Sequence, residues 1–165
     1  MPALNAGVVA PDFTLPTVQG GQVSLRETLA KGPVVVVFFK KSCPVCQYAL
    51  PFLERVYQAN RAANVTVLGI AQDDARDTKK FMREYGVTFP VALDDPANYA
   101  VSNAYGLTNV PTIFYIAPGG EIEVACVGWS KADVEAINRK LAEHREQAPA
   151  PLWRKGEEIQ DFRAG

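Results

Sequence analysis

The stretch VVVVFFKKSCPVCQYALPFLERVYQ, from Val34 to Gln58, changes character twice and decides how the chain folds. Its first part, Val34 to Phe39, is continuously apolar, which is typical of a strand covered on both faces in the middle of a sheet. From Cys43 onward the apolar residues recur at helical spacing, and Pro51 inside this pattern predicts a kink in the helix. We therefore predict a buried strand that leads directly into a helix, with Cys43 and Cys46 at the junction.

Strand and helix patterns alternate along the rest of the chain. Gly20-Gly21 and Pro118-Gly119-Gly120 predict hairpin turns, and the residues that follow Ser24 and Ser130 resemble capping boxes that open helices. The predicted fold class is therefore α/β, with a mixed central β-sheet flanked by helices and an N-terminal β-hairpin. The remaining predicted strands are Phe13 to Thr17, Gln22 to Leu25, Val65 to Ala71, Val87 to Leu93, Thr112 to Ile116 and Glu121 to Val127, and the remaining helices are a short one that ends at Gly32, Asp77 to Tyr85, Ala97 to Tyr105 and Ser130 to about Glu146.

The composition limits the functions that the chain can have. Its 165 residues, 48% of them hydrophobic, suit one domain with one substantial core. The 17 basic and 18 acidic residues give a net charge of -1, which argues against binding nucleic acid through a broad basic surface or adhering to an anionic membrane. Three cysteines are too few, and odd in number, for a disulfide-stapled secreted scaffold. The sequence contains no glycine-rich phosphate loop, so we expect no nucleotide cofactor.

The N-terminal stretch MPALNAGVVAPDFTLP lacks the basic and apolar regions of a signal peptide. The longest apolar run, Pro33 to Phe39, is too short to cross a bilayer. We therefore expect a cytoplasmic protein, although a chain trimmed of a leader would have the same features.

The residues from Ala148 onward, APAPLWRKGEEIQDFRAG, lose the periodicity of the rest. We divide the chain into a domain of residues 1–147 and a Pro/Ala linker with a charged C-terminal tail, residues 148–165. The tail is a candidate for disorder. Leu152, Trp153 and Phe162 favour the alternative, in which the tail docks on the domain surface.

The cysteine pair is the candidate catalytic site. A thiol does redox chemistry as its thiolate, which the free amides and the dipole of a helix N-terminus stabilise. Cys43 stands where the helix begins, so we predict that it is the exposed nucleophile with a lowered pKa, and that Cys46, one turn further, is the resolving thiol. Pro44 suits the first helical position, and the amides of Val45 and Cys46 are free to face the Cys43 sulfur.

Two structural interpretations compete with a redox role. A zinc half-site needs two more ligands, and the chain offers only Cys126 and its one histidine, His144. A static disulfide between Cys43 and Cys46 would close too small a loop to stabilise the fold much. We therefore favour a redox pair with no metal and no cofactor other than its own disulfide, and we interpret Cys126 as a packed core residue.

A second motif, Asn109-Val110-Pro111-Thr112, precedes the predicted strand from Thr112 to Ile116. A strand, a C-x-x-C pair, a helix with an internal proline and this later V-P-T together resemble the thioredoxin fold. The stretches APDFTLPTVQGGQVSLRE, FFKKSCPVCQYALPFLE, GVTFPVALDD and YGLTNVPTIFYIAPGGEI resemble its redoxin branch, which includes the AhpC/TSA and TlpA/ResA-like proteins. The resemblance covers about Val9 to Leu141.

The resemblance implies a thiol–disulfide oxidoreductase whose partners are thiols or disulfides of proteins or small molecules. It also implies a cis peptide bond between Val110 and Pro111, in a loop beside the cysteines that pairs with an incoming substrate strand. Pro44 and Val45, between the cysteines, are further candidates for substrate contact. The oligomeric state stays open, and a monomer is compatible with the sequence.

The sequence departs from the redoxin pattern around the cysteines. Ser42 replaces the tryptophan that usually precedes the first cysteine. Val37 and Ala49 stand where related proteins carry an acidic residue that moves the proton of the second thiol, so the proton acceptor is unassigned, with water or Lys40 as candidates. The proline directly after Cys43 resembles glutaredoxins and DsbA-like oxidants, and indicates a less reducing potential than that of thioredoxin.

Two alternative functions stay open. A peroxiredoxin shares this fold, but its P-x-x-x-T-x-x-C pocket has no counterpart here, because Lys40 and Val36 stand three and seven residues before Cys43, and Cys43 and Phe39 stand at those positions before Cys46. A non-catalytic module that senses oxidation or holds a partner would exchange only slowly with a dithiol.

Other polar and aromatic residues are interpreted as structural. Asp73-Asp74 and Asp94-Asp95 lie at strand ends, where we expect acidic residues to cap turns and helices rather than to bind a cation. Trp129, just before the last helix, is predicted to pack in the core.

Overall fold

The computed structural model describes residues 3–165. None of the helices in this part of the chain has the length and apolar character that a bilayer crossing requires. The strands are β1 Thr14–Pro16, β2 Gln22–Ser24, β3 Val34–Phe39, β4 Thr66–Ala71, β5 Val91–Leu93, β6 Thr112–Ile116, β7 Ile122–Val127, β8 Trp129–Ser130 and β9 Phe162–Arg163, and the helices are α1 Leu25–Leu29, α2 Pro44–Ala59, α3 Ala75–Tyr85, α4 Ala100–Ala104 and α5 Lys131–Arg145.

The central sheet has the strand order β5-β4-β3-β6-β7. β3 is parallel to β4 and β4 is parallel to β5, whereas β6 runs antiparallel to both β3 and β7. The sheet is therefore mixed, as predicted. Every residue of β3 is fully buried, so the continuous apolar run forms the centre of the sheet. From the carboxyl end of β3 the chain continues to Cys43, at the start of α2.

The predicted turns and caps are confirmed. β1 and β2 form the N-terminal hairpin, and Gly20 and Gly21 between them both have positive φ. Ser24 Oγ accepts a hydrogen bond from the Glu27 amide at 3.1 Å at the start of α1. Ser130 Oγ accepts one from the Asp133 amide at 3.2 Å at the start of α5.

One carboxylate of each acidic pair caps a helix start, as predicted, whereas Asp73 Oδ2 accepts a hydrogen bond from the Lys41 amide at 2.6 Å. Asp74 accepts a hydrogen bond from the Asp77 amide at 2.8 Å and so begins α3. Asp94 is buried, and its Oδ2 accepts hydrogen bonds from both the amide and the hydroxyl of Ser102, at 2.8 and 2.6 Å. These carboxylates therefore satisfy donors at helix starts.

Two predicted elements are shorter in the structure. The strand predicted over Val87 to Leu93 is reduced to β5, because the amides of Thr88 and Phe89 donate to the Glu54 carboxylate instead of to a neighbouring strand. The helix predicted over Ala97 to Tyr105 is reduced to α4. Tyr99, the residue before it, has a φ of 48°, which a continuous helix does not allow.

The tail after α5 lies against the domain. It is therefore docked, which was the alternative to the disorder suggested by its composition. Leu152 is buried, and Trp153 packs with its ring centroid 5.5 Å from that of Phe52. Further along, β9 pairs with β8. Leu152 and Trp153 therefore pack on the domain as expected, whereas the Phe162 side chain is 64% exposed and does not dock.

Candidate active site

Cys43 is the N-cap residue of α2, and Pro44 occupies the first turn, as the sequence predicts. The Cys46 amide donates a hydrogen bond to Cys43 Sγ at 3.1 Å. This amide is one of the donors that a helix start leaves without a backbone partner, and it lies at the positive end of the helix dipole. The Cys43 sulfur therefore accepts a hydrogen bond from a free amide at the helix start.

The two thiols are both buried. Cys46 is fully buried, and this burial raises the pKa of its thiol; the hydrogen bond with Cys43 acts in the same direction, and a backbone hydrogen bond from Lys40 partly opposes it. The exposure that we predicted for Cys43 is not observed, since this residue is 6% exposed. The neighbouring loop covers its sulfur.

That loop contains the second sequence motif. The Val110–Pro111 peptide bond is cis, the isomer that the resemblance implies. Cys43 Sγ donates a hydrogen bond to the Val110 carbonyl oxygen at 3.2 Å. Thr112 Oγ1 donates to the Asn109 carbonyl oxygen at 2.8 Å and holds the loop in this position. The structure thus brings together Cys43, Cys46, Val110 and Pro111.

The two lysines before Cys43 make different contacts. Lys41 Nζ forms an ion pair with Asp77 Oδ2 at 2.5 Å, which raises the pKa of Lys41 and lowers that of Asp77. The Lys41 charge is therefore directed to the start of α3. Lys40 is exposed, and its backbone, rather than its side chain, is the part that bonds to Cys46.

The residues next to Cys46 do not supply a proton acceptor. Val37 and Ala49, which stand where related proteins carry an acidic residue, are apolar and fully buried. Of the residues between the cysteines, Pro44 is exposed and Val45 is buried, so Pro44 offers the more accessible contact surface.

Cys126 lies in β7 and is buried, as predicted for a core cysteine. Burial raises the pKa of its thiol to about 12. His144 is exposed near the end of α5. Within residues 3–165, no three side chains of the histidine, cysteine and acidic types are grouped as metal ligands would be.

Several residues around the pair were not identified from the sequence. Tyr48 and Trp129 contact each other with ring centroids 5.3 Å apart, on the side of α2 that faces the tail. Asn109 and Gly165 meet at the cis-proline loop. Trp129 was predicted only as a packing residue, which its complete burial confirms. Leu152 and Trp153 indicated a docked tail, but nothing in the sequence indicated that Gly165 would reach this loop.

Residues 6–125 match the sequence model of the AhpC/TSA family. The chain belongs to the AhpC/TSA family. Among curated relatives, the thiol-disulfide oxidoreductase ResA of Halalkalibacterium halodurans is 32% identical over 119 residues, which cover 72% of this chain and 66% of the relative. ResA of Geobacillus kaustophilus is 30% identical over 135 residues, covering 81% of this chain and 76% of the relative. The chain thus spans about two thirds to three quarters of the length of these relatives.

Solved structures of thiol–disulfide proteins have the same fold. The thioredoxin domain of a thiol-disulfide oxidoreductase from Bacteroides vulgatus superposes with a TM-score of 0.74 at 26% identity, covering 84% of this chain and 98% of that one. A putative thiol:disulfide interchange protein DsbE from Chlorobium tepidum superposes with a TM-score of 0.74 at 28% identity, covering 86% and 98%. The predictions of a thioredoxin-like fold and of an oxidoreductase of the thiol–disulfide class are confirmed.

Proposed function

We propose that this family member exchanges disulfides with protein or small-molecule thiols through Cys43 and Cys46 as its redox pair. The observation that carries the proposal is the hydrogen bond of 3.1 Å from the Cys46 amide to Cys43 Sγ at the start of a helix of 16 residues. Cys43 thus has a free backbone donor at its sulfur, while burial raises the pKa of the Cys46 thiol. The two thiols therefore take different roles.

In the reducing direction, the Cys43 thiolate attacks one sulfur of a partner disulfide. A bond forms between Cys43 and that sulfur, the bond within the partner disulfide breaks, and the second partner sulfur leaves as a thiolate that takes a proton from water. The product is a mixed disulfide between the protein and its partner.

Cys46 resolves this intermediate. It loses its proton and attacks the Cys43 sulfur, the bond from Cys43 to the partner breaks, and the partner leaves with both of its sulfurs reduced. Two electrons have then moved to the partner, and the protein keeps a Cys43–Cys46 disulfide. We propose water as the proton acceptor, because Val37 and Ala49 offer none. The reverse sequence oxidises a partner dithiol.

The cis-proline loop positions the partner in this proposal. The Val110 carbonyl oxygen lies 3.2 Å from Cys43 Sγ, so an extended strand that pairs with the loop backbone would bring its sulfur to Cys43. Pro111 holds the loop, and exposed Pro44 borders the same surface.

The roles of the thiols are tested by trapping. Cys46→Ser is expected to accumulate a mixed disulfide with a peptide that contains a disulfide, because the thiol that releases the partner is missing. The matched variant Cys43→Ser is expected to form none. Nonreducing electrophoresis and mass spectrometry measure the adduct.

Equal trapping by both variants, or by neither, would contradict the assigned roles. Hydrogen peroxide consumption is followed in the same samples. Rapid peroxide turnover without disulfide exchange would instead support the peroxidase alternative.

A further inference from the structure

Residues 160–165, which we call the strap, lie across the surface beside the cysteine pair. Within the strap, β9 pairs in antiparallel orientation with β8. The Lys131 amide donates a hydrogen bond to the Asp161 carbonyl oxygen at 2.9 Å, which extends the pairing to the start of α5. The strap therefore forms an added strand on the segment between β7 and α5.

The far end of the strap rests on the cis-proline loop. Asn109 Nδ2 donates a hydrogen bond to the Gly165 oxygen at 3.1 Å. A Cβ added to Gly165 would lie 2.5 Å from the Val110 carbonyl oxygen, so the two backbones pack with no room for a side chain. The same oxygen accepts the hydrogen bond from Cys43 Sγ. The strap and the thiol thus meet at one carbonyl group.

The strap also packs closely against Gly128, through the Arg163 backbone. Gly128 has a φ of 80°, and a Cβ at this position would collide with the Arg163 carbonyl oxygen. The Gly128 amide donates to the Pro111 carbonyl oxygen at 2.8 Å, which joins this glycine to the cis-proline loop. The strap therefore covers both the cis-proline loop and Gly128, which is hydrogen-bonded to that loop.

This covered surface is the one that an extended partner needs. A partner strand that presents a sulfur to Cys43 must run beside Val110, whose carbonyl oxygen is 3.2 Å from Cys43 Sγ. The Gly165 backbone already occupies that place. The strap and a partner strand therefore compete for the same backbone surface.

The strap is held mainly by polar contacts and buries little apolar surface. Trp129 Nε1 donates to the Gln160 carbonyl oxygen at 2.6 Å, and the Gln160 amide donates to Tyr48 Oη at 3.1 Å. The guanidinium carbon of Arg163 lies 5.2 Å from the centroid of the Tyr48 ring. Phe162, the largest apolar side chain of the strap, is 64% exposed. Segments with few buried apolar contacts open locally without unfolding the domain.

The tail that precedes the strap is anchored differently. Leu152 is buried, and Trp153 packs on Phe52. Arg55 forms a bidentate ion pair with Glu157, with distances of 2.8 and 2.6 Å. When the strap lifts, this anchor keeps it tethered close to the surface that it covers.

We propose that the strap is an internal competitor that controls which partners reach Cys43. An extended polypeptide docks only while the strap is lifted, whereas a small disulfide needs much less of the covered surface. This proposal rests on the redox function proposed above and adds selection of partners by size.

A tethered segment competes at an effective concentration in the millimolar range. The apparent rate constant for a polypeptide partner falls in proportion to the fraction of molecules whose strap is lifted. If the strap is docked in roughly nine molecules of ten, its removal raises that rate constant about tenfold.

The test compares the full chain with a variant that lacks residues 160–165. Both are prepared in the reduced form and mixed with a disulfide-linked peptide or with oxidised glutathione. In each reaction the protein dithiol is oxidised to the Cys43–Cys46 disulfide and the added disulfide is reduced to two thiols. We expect the variant to react about tenfold faster with the peptide and within about twofold of the full chain with glutathione.

Two variants of full length serve as comparison. Arg163→Pro removes a backbone donor within β9 and is expected to accelerate the peptide reaction even if the shortened chain folds poorly. Phe162→Ala changes an exposed side chain in the same strand and is expected to leave the rate unchanged. Equal acceleration with both disulfides, or no acceleration in either the shortened chain or Arg163→Pro, would overturn the proposal.

Alkylation of Cys43 separates failure of the strap proposal from failure of the redox function. The rates with iodoacetamide and with a polymer-linked maleimide, measured by mass spectrometry at Cys43, require no disulfide exchange. Loss of the strap is expected to raise the rate with the bulky reagent by the larger factor. If no variant exchanges disulfides but this selective rise is found, the redox function fails and the size selection stands; equal rates in all chains overturn the strap proposal.

Discussion

Cys43 and Cys46 lie one helical turn apart but in different chemical surroundings. Cys43 Sγ accepts the hydrogen bond from the Cys46 amide, whereas burial raises the pKa of the Cys46 thiol. The place of Cys43 at the start of the helix follows from the local sequence, whereas the burial of Cys46 depends on the packing of the whole domain. The near-complete burial of Cys43 was not predictable, since it depends on Val110, which is distant in the sequence.

The raised pKa of Cys46 predicts how resolution of the mixed disulfide depends on pH. Burial is the largest cause of the shift. The attacking thiolate is therefore a small fraction near neutral pH, and we expect the resolution rate to increase about tenfold per pH unit between about pH 6 and about pH 8.

Quenched-flow alkylation of a preformed mixed disulfide measures this rate, with Cys46→Ser as the control that lacks resolution. A rate that is constant over this range would show that Cys46 is already deprotonated and would contradict the assignment.

At the scale of elements, the predicted helix starts are right at Ser24 and Ser130, where the capping side chain lies next to the helix in sequence. The helix predicted from Asp77 begins earlier, at Ala75, because Asp74 caps it. The strand predicted from Val87 to Leu93 is too long, because the side chain that shortens it is distant in sequence. Its first amides bond to Glu54, which lies in α2 and is far away in sequence. Local patterns predict elements, but a remote side chain can remove residues from a strand.

Asp94 directly follows β5 and binds the start of α4, so we expect its loss to reduce stability. Its buried carboxylate accepts hydrogen bonds from the amides of Val101 and Ser102 and from the Ser102 hydroxyl. Asp94→Ala leaves these buried donors without an acceptor, so we expect the free energy of unfolding to fall by about 2–4 kcal/mol. Chemical denaturation measures the change.

The neighbouring Asp95 is the matched control. It is exposed and accepts a hydrogen bond from the Ala97 amide at 2.9 Å. We expect Asp95→Ala to cost about 1 kcal/mol or less. Similar losses from both substitutions would show that burial of the Asp94 network is not what stabilises this region.

At the scale of the whole molecule, one mixed sheet brings distant segments together at the end of β3. The cysteine pair follows β3 directly, and the antiparallel pairing of β6 with β3 places the cis-proline loop beside it. The fold and the pair were predictable from the sequence because each motif marks its own element. The strap was not, because residues 160–165 have no pattern of their own and are placed by Trp129, Tyr48 and the loop at Val110.

The redox equilibrium of the Cys43–Cys46 pair decides whether the two cysteines form a working redox couple. The protein is equilibrated with glutathione buffers of graded ratio, quenched by alkylation and analysed by mass spectrometry. We predict a reversible two-electron couple, absent in Cys43→Ser, with Cys126 alkylated at every ratio after unfolding. From the proline after Cys43 we predict a potential less reducing than the value of about -270 mV typical of thioredoxin. If no disulfide forms between Cys43 and Cys46 at any ratio, or if the couple persists in Cys43→Ser, the account of the site is wrong.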